Sequence, residues 1–308
     1  MKGRFVTEET VKAFREHLVW EERSDATIEK YIRDIRFFID FVKKESINEE
    51  PVKREVTKER HDPVQKKQEW NDSEITKETV IAYKKHLQEK YAVRSINSML
   101  AGLNNLFCFL GWQDLKVRAL KLQQQVFCPE EKELTKAEYI RLCRTAEKRK
   151  DNRLNLILQT ICATGIRVSE LQYITVEAVK LGKAVVNCKG KTRSIFVVKD
   201  LKKKLLSYAA GQGIQSGMIF VTRSGKAIGR TRIWRDMKSL CEEADVNPQK
   251  VFPHNLRHLF ARVFYSIEKD IAKLADILGH SSINTTRIYI ISTGTQHQRR
   301  MENMQLIL

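Results

Sequence analysis

The chain has 308 residues and a formal net charge of +18 at neutral pH, with 42% hydrophobic residues. That length suggests two domains, and no apolar run approaches the length needed to cross a bilayer, which argues against an integral membrane protein. The positive excess suits a polyanionic partner, because Lys and Arg that neutralise phosphates release condensed counterions; a basic, well-solvated surface is the plainer reading of the same number.

The start, Met1-Lys2-Gly3-Arg4-Phe5-Val6-Thr7, carries no signal-peptide core, and a cytoplasmic location is expected. Thr7 caps a helix with Val11, Phe14 and Leu18 inward, and Ser24 caps a second with Ile28, Tyr31, Ile32, Ile35, Phe38, Ile39 and Val42 at three-and-four spacing. A polar stretch rich in Lys, Glu and Gln, about 45–72, reads as an insertion. Thr76 restarts helix with Val80, Tyr83 and Leu87. Ser95 opens a fourth helix carrying Ile96, Met99, Leu100, Leu103, Leu106, Phe107 and Leu110, and Gly111 stops it. Four amphipathic helices make a small bundle. Its basic residues (Lys30, Arg33, Arg36, Lys84, Lys85, Lys90, Arg94) either line a DNA backbone or face water.

Residues 116–132 read as a linker. Thr135-Lys136-Ala137-Glu138 is a capping box that opens a second unit. A helix follows from about Leu154 to Cys162, then a helical turn after Arg167. Ala184–Cys188 and Ser194–Val198 are β-prone and flank Lys189-Gly190-Lys191, a hairpin with a basic tip. The rest is mostly helical, broken at Gly225, Gly229, Pro248, Pro253 and Gly279. The six cysteines (Cys108, Cys128, Cys143, Cys162, Cys188, Cys241) are scattered without metal-ligand spacing, so reduced, mostly buried thiols are expected and no metal site.

Four short features carry chemistry. In Ala163-Thr164-Gly165-Ile166-Arg167-Val168-Ser169-Glu170-Leu171, Gly165 permits a sharp turn or a close approach of DNA, and Glu170 can hold a neighbouring cation. His254 and Arg257 are three apart and share one face of a helix that begins at Pro253, where both can donate to one anion. His280 follows Gly279 at a helix end, and Tyr289 stands nine residues later. Taken singly, each is better explained as a structural pair, an incidental histidine or a half-buried aromatic.

In order and spacing, Arg167, Lys189, His254, Arg257, His280 and Tyr289 resemble the signature of the tyrosine recombinase (phage integrase) family. The segments at 163–171 and Leu278-Gly279-His280-Ser281-Ser282 are similar to its two best-known boxes, and the sequence looks closest to the Xer-like and transposon-integrase branch. The resemblance implies a mainly α fold with a small antiparallel β-sheet. Residues 1–115 would form a helical, SAM-like core-binding domain and 133–308 an α+β catalytic domain. It implies a site-specific recombinase that cleaves and rejoins DNA, for integration or excision of a mobile element. Tyr289 would form a 3′-phosphotyrosyl link, Arg167, Arg257, His254 and His280 would hold the phosphate, and Lys189 would protonate the departing 5′-hydroxyl, with Lys191 its rival. No cofactor and no metal are implied. The partners would be double-stranded DNA with paired sites and three further copies in a tetramer, the C-terminal segment either exchanged between protomers or folded back. Relaxation of DNA in the manner of a type IB topoisomerase, chromosome-dimer resolution, and a non-catalytic DNA-binding relative are the alternatives. His258 is read as packing or as support behind the pocket, and Tyr265 as a core residue rather than the nucleophile.

Overall fold

The computed structural model describes residues 3–48, 74–122, 133–188, 191–290 and 302–304. The insertion at 45–72 therefore lies outside the described residues from 49 onward, as do Lys189 and most of the C-terminal tail. The chain divides into two units, 1–124 and 125–308. Among the described residues no helix is long and apolar enough to cross a membrane.

The first unit is built from α1 (Glu8–Trp20), α2 (Asp25–Asn48), α3 (Lys77–Lys90) and α4 (Val93–Phe109). The apolar stripes of these helices close on one another: Phe14, Leu18, Ile35, Phe38, Tyr83, Leu87, Leu103 and Phe107 are all buried. Thr7 and Thr76 cap α1 and α3 as expected. α4 begins two residues earlier than Ser95 because Ala92, in an extended conformation, presents its carbonyl to Ser95 and Ile96 without a side-chain cap. The start of the stretch read as linker is tied to this unit. Asn97 and Asn104, seven residues apart on α4, each exchange two hydrogen bonds with the backbone of Leu120 and Val117 at 2.8–3.0 Å. Side-chain amides thus satisfy an extended strand lying along two turns of helix.

The second unit packs around α6 (Asn152–Thr164), where Leu154, Leu156, Ile157, Leu158, Thr160 and Ile161 are buried and only a narrow face through Asn152, Asn155, Gln159 and Ala163 reaches toward solvent. So wide an apolar surface needs neighbours on several sides. The hydroxyls of Thr160 and Thr164 remain satisfied by donating to the carbonyls of Leu156 and Thr160, at 2.7 and 2.6 Å. Around it stand α5 (Lys136–Lys148), opened by the Thr135–Glu138 capping box, and α7 (Val176–Leu181). They are joined by α8 (Lys199–Gly211), α9 (Arg230–Ser239) and α10 (Pro253–Glu268). α11 (Ile271–Leu278) and α12 (Ile283–Ile290) follow. The only sheet among the described residues is the antiparallel pair β1 (Lys183–Cys188) and β2 (Lys191–Phe196). Its register sets Cys188 opposite Lys191 and Val186 opposite Arg193. The second strand therefore starts three residues earlier than Ser194, and Lys191 belongs to a strand instead of the hairpin tip. This register buries Ala184, Val186 and Ile195 on one face.

Gly165 ends α6 in the left-handed region, at φ 64°. A Cβ there would lie 2.5 Å from a ring carbon of Phe260 and 3.0 Å from Leu278, so the glycine serves packing between helices; it is protein, not DNA, that approaches it. Gly165→Ala should cost about 2–4 kcal/mol, from left-handed backbone strain plus overpacking. A midpoint of chemical denaturation matching that of the parent protein would disprove this.

Candidate active site

The centre of the site is the C-terminal end of α11. Gly279, at φ 65°, closes the helix; its own N–H and that of His280 donate to the carbonyls of Asp276 and Ala275 at 3.0 and 2.9 Å. This is a left-handed helix cap, and it leaves the next three carbonyls open. Each takes a different guanidinium. Ile277 O accepts from Arg193 Nη1 at 2.7 Å, Leu278 O from Arg257 Nη2 at 2.6 Å, and Gly279 O from Arg167 Nη2 at 3.4 Å. Helix C-termini favour cations because their unpaired carbonyls carry partial negative charge. Gly165 O, at the end of α6, accepts from Arg257 Nη1.

The guanidiniums are held differently. Arg257 is 1% exposed; burial, then the neighbouring Arg167, lowers its pKa to about 10, so it stays charged at neutral pH. Arg167 lies at the mouth, its side chain 37% exposed. Glu170, buried on the 3₁₀ turn after Arg167, bonds Arg167 Nη1 at 2.9 Å through Oε1 and the Arg167 N–H at 2.9 Å through Oε2. Oε2 also takes Arg193. Burial opposes ionisation of this carboxyl, but the hydrogen bonds and positive charges of Arg167 and Arg193 outweigh it and hold the pKa below the usual value.

Tyr289 lies within a set of imidazoles. Its hydroxyl is 3.4 Å from His254 Nε2. Its ring centre is 4.2 Å from that of His258, 5.3 Å from that of His280 in a stacked arrangement, and 5.6 Å from that of His254. Only 5% of the tyrosine is exposed. His280 Nδ1 is 2.8 Å from the hydroxyl of buried Thr286, and its Nε2 is 3.1 Å from Arg257 Nη2. Arginine has no lone pair, so Nε2 must accept, and Nδ1 carries the proton and donates to Thr286. His280 is accordingly neutral: burial first, then Arg257, Arg167 and Arg193, push its pKa to about 4. His258 is likewise lowered to about 4, by burial and then His254 and Arg257. His254 is lowered by partial burial and then Arg257 and Arg167.

These shifts predict an acid-labile unit. Between an ordinary histidine value of 6.5 and about 4, the unfolded chain binds protons that His258 and His280 refuse in the fold. Stability is therefore complete above 6.5 and falls as pH drops toward 4, with the loss of the Glu170 carboxylate adding to it at the acid end. Denaturant midpoints measured across that range should decline, and His258→Asn should flatten the decline; a level profile would show that the imidazoles are not held neutral.

Of the six residues singled out by sequence, the structure brings together Arg167, His254, Arg257, His280 and Tyr289. Lys189 lies outside the described residues, and of Lys191 only the backbone, in β2, is described. His254 and Arg257 do share a face of α10, with Pro253 at its first turn. His258 packs as expected, but against Tyr289. Tyr265 is half-buried beside Phe260 and Phe264. Arg193 and Thr286 escaped the sequence reading: nothing about an Arg in a β-prone segment, or a Thr three residues before Tyr289, marks it as part of a pocket. Among the described residues no cluster of His, Cys, Asp or Glu is arranged to hold a metal ion, and Cys108, Cys143, Cys162 and Cys241 are free thiols.

Clustered arginines, one buried and one at the mouth, with a tyrosine hydroxyl beside them are what a phosphodiester-cleaving protein of the transesterifying kind requires. Residues 132–295 match the phage integrase family. The chain is 30% identical over 241 residues to the tyrosine recombinase XerD of Halalkalibacterium halodurans, covering 72% of this chain and 79% of that one. It is 27% identical over 304 residues to XerC of Roseiflexus castenholzii, covering 91% and 88%. It belongs to the phage integrase family, and so to the tyrosine recombinases, site-specific DNA recombinases that act by transesterification. In fold it is similar to the lambda integrase fragment 75–356 solved as a dimer on a core site (TM-score 0.64, 16% identity, 92% of this chain and 95% of that one). It is also similar to the Tn1549 transposon integrase solved with transposon right-end DNA (TM-score 0.62, 14% identity, 97% and 99%).

Proposed function

We propose that Tyr289 is the nucleophile of this recombinase and that Arg167, Arg257, His254 and His280 bind the scissile phosphate, with Lys189 as the acid. The phenolic oxygen attacks phosphorus; a P–O bond to Tyr289 forms and the bond to the 5′-oxygen breaks. The phenol proton leaves by way of His254 Nε2, the nearest imidazole nitrogen to it, and the 5′-oxygen takes a proton from Lys189. Ionising a free phenol at neutral pH costs about 4 kcal/mol, so positive charge must be concentrated where the transition state becomes more negative. The guanidiniums gathered at the end of α11 are the observation that carries this reading. Neutral His280 accepts from Arg257 in the DNA-free chain; a phosphate oxygen that takes Arg257 frees this nitrogen for a proton of its own. The ester is conserved in the phosphotyrosine, so rejoining requires only return of the 5′-hydroxyl.

The first unit, through about residue 115, would grip the duplex as a core-binding domain, with 133–308 catalytic. Lys84 donates to the Arg118 carbonyl at 2.8 Å. Lys30, Arg33 and Arg94 border a cleft of about 470 Å³ that also contains Asp34, Phe37, Tyr91 and Ser98. Asp34 pairs with both Lys30 and Arg33; the exposed Arg33 and Arg94 suit backbone phosphate contacts, which position without reading sequence. Paired sites imply a tetramer, with the C-terminal segment exchanged between protomers. Mobile-element integration and Xer-type resolution both fit a recombinase of this family. Capture decides the reading: a randomised duplex library, nicked so that the cleaved end diffuses away, should yield a denaturation-resistant adduct mapping to Tyr289. No adduct from any duplex, or one mapping elsewhere, would refute it.

A further inference from the structure

The geometry points to Arg193 as a positioning residue for strand cleavage: from β2 it neutralises Glu170, so that the charge of Arg167 remains available to the scissile phosphate. The inference rests on the assignment of Arg167 and Tyr289 above.

Glu170 is buried beside Arg167 and contacts both its guanidinium and its backbone N–H. Alone, such a carboxylate would turn Arg167 into half of a closed ion pair, with no net charge for a substrate. Arg193 prevents this. Its side chain is 11% exposed, one Nη is on Glu170 and the other is 2.7 Å from Ile277 O. Its hydrogen bonds go to Glu170 and Ile277 O, whereas Arg257 bonds His280 and interacts with Tyr289; Arg193 therefore stands behind Arg167 and Glu170, not against the reacting groups. Gly279 admits it: a Cβ at that position would overlap Arg193 Cδ. Three guanidiniums and one carboxylate leave a net charge of +2 with the imidazoles neutral. A phosphodiester attacked by a phenolate becomes a dianion, which this charge offsets, while the proton that Lys189 gives up goes to the departing 5′-oxygen. Without Arg193 the pocket holds +1, and the carboxylate competes with the phosphate for Arg167. The fork geometry lets Arg193 bond a carboxylate and a carbonyl at once.

The test compares two linkages in the duplex that wild-type protein captures most efficiently. One has an ordinary scissile phosphate; the other has a methylphosphonate there, which lacks one anionic oxygen and gives a monoanionic transition state. Arg193→Gln retains a donor toward Glu170 and removes the charge. Its single-turnover strand cleavage should fall about 100-fold on the phosphate, in line with loss of one stabilising group, and less than about tenfold on the methylphosphonate. Arg193→Lys, which keeps the charge, should recover most of the rate on the phosphate, and serves as the readout if Arg193→Gln does not fold. An equal loss on both linkages, or Arg193→Lys as slow as Arg193→Gln, would overturn the proposal and leave Arg193 a structural residue only. Tyr289→Phe run alongside separates this from failure of the nucleophile assignment, which would show as cleavage persisting in that variant.

Discussion

Tyr289→Phe should abolish covalent attachment to DNA while leaving folding and duplex binding nearly unchanged. The substitution removes one oxygen. That oxygen is 3.4 Å from His254 Nε2 and also interacts with the Arg257 guanidinium; little stability is lost with it, since a net hydrogen bond of good geometry is worth only about 1 kcal/mol. The ring remains, still packed beside His258 and His280 and against Leu274 and Leu278. The chemical loss is total by contrast, because the oxygen is the atom that forms the new bond to phosphorus. A denaturing gel of protein incubated with nicked duplex reads the outcome, and gel retardation in native conditions reads binding. An adduct in the variant would mean another hydroxyl attacks; Tyr265, half-buried with Phe260 and Phe264 against the same apolar cluster, would be the first to test.

Arg257→Ala should do harm of two kinds. Arg257 bonds Gly165 O, Leu278 O and His280 from a site that is 1% exposed. Its removal strands two buried carbonyls at helix ends and leaves a cavity, a loss of about 3–5 kcal/mol by analogy with broken buried charge networks. Cleavage should also fall by about 10³-fold or more, since the deepest cation facing the phosphate is gone. Arg257→Lys separates the effects: the ammonium keeps the charge but cannot span both carbonyls, so rate should recover further than stability. Denaturation midpoints and single-turnover cleavage measured on both variants check this. Cleavage unchanged in Arg257→Ala would remove this residue from the reaction.

Much of this was legible in the chain before any coordinates. The helices of the first unit follow from three-and-four spacing of large apolar residues, and Thr7, Thr76 and Thr135 mark starts because hydroxyl caps are local chemistry. His254 and Arg257 could be placed on one face because helical periodicity is rigid over three residues. Other features were not legible. The start of α4 uses a backbone carbonyl of Ala92, which has no side-chain signature. Strand β2 begins earlier than its apolar run suggests, because register is set by which face of the pair is buried. His258 was readable as packing, but not that the ring it packs against is Tyr289.

The order and type of the residues determined which functional groups were available: guanidiniums, imidazoles and one phenol, each recognisable from its short local context. Only the tertiary structure decided that Arg167, Arg193 and Arg257 would meet at three successive carbonyls of one helix end, and that Glu170 would be divided between two of them. The reason is physical. Helical and capping preferences act over a few residues and can be read along the chain. Sharing a buried carboxylate or a helix terminus joins groups up to 112 positions apart, and it depends on burial and charge that exist only once the elements have packed.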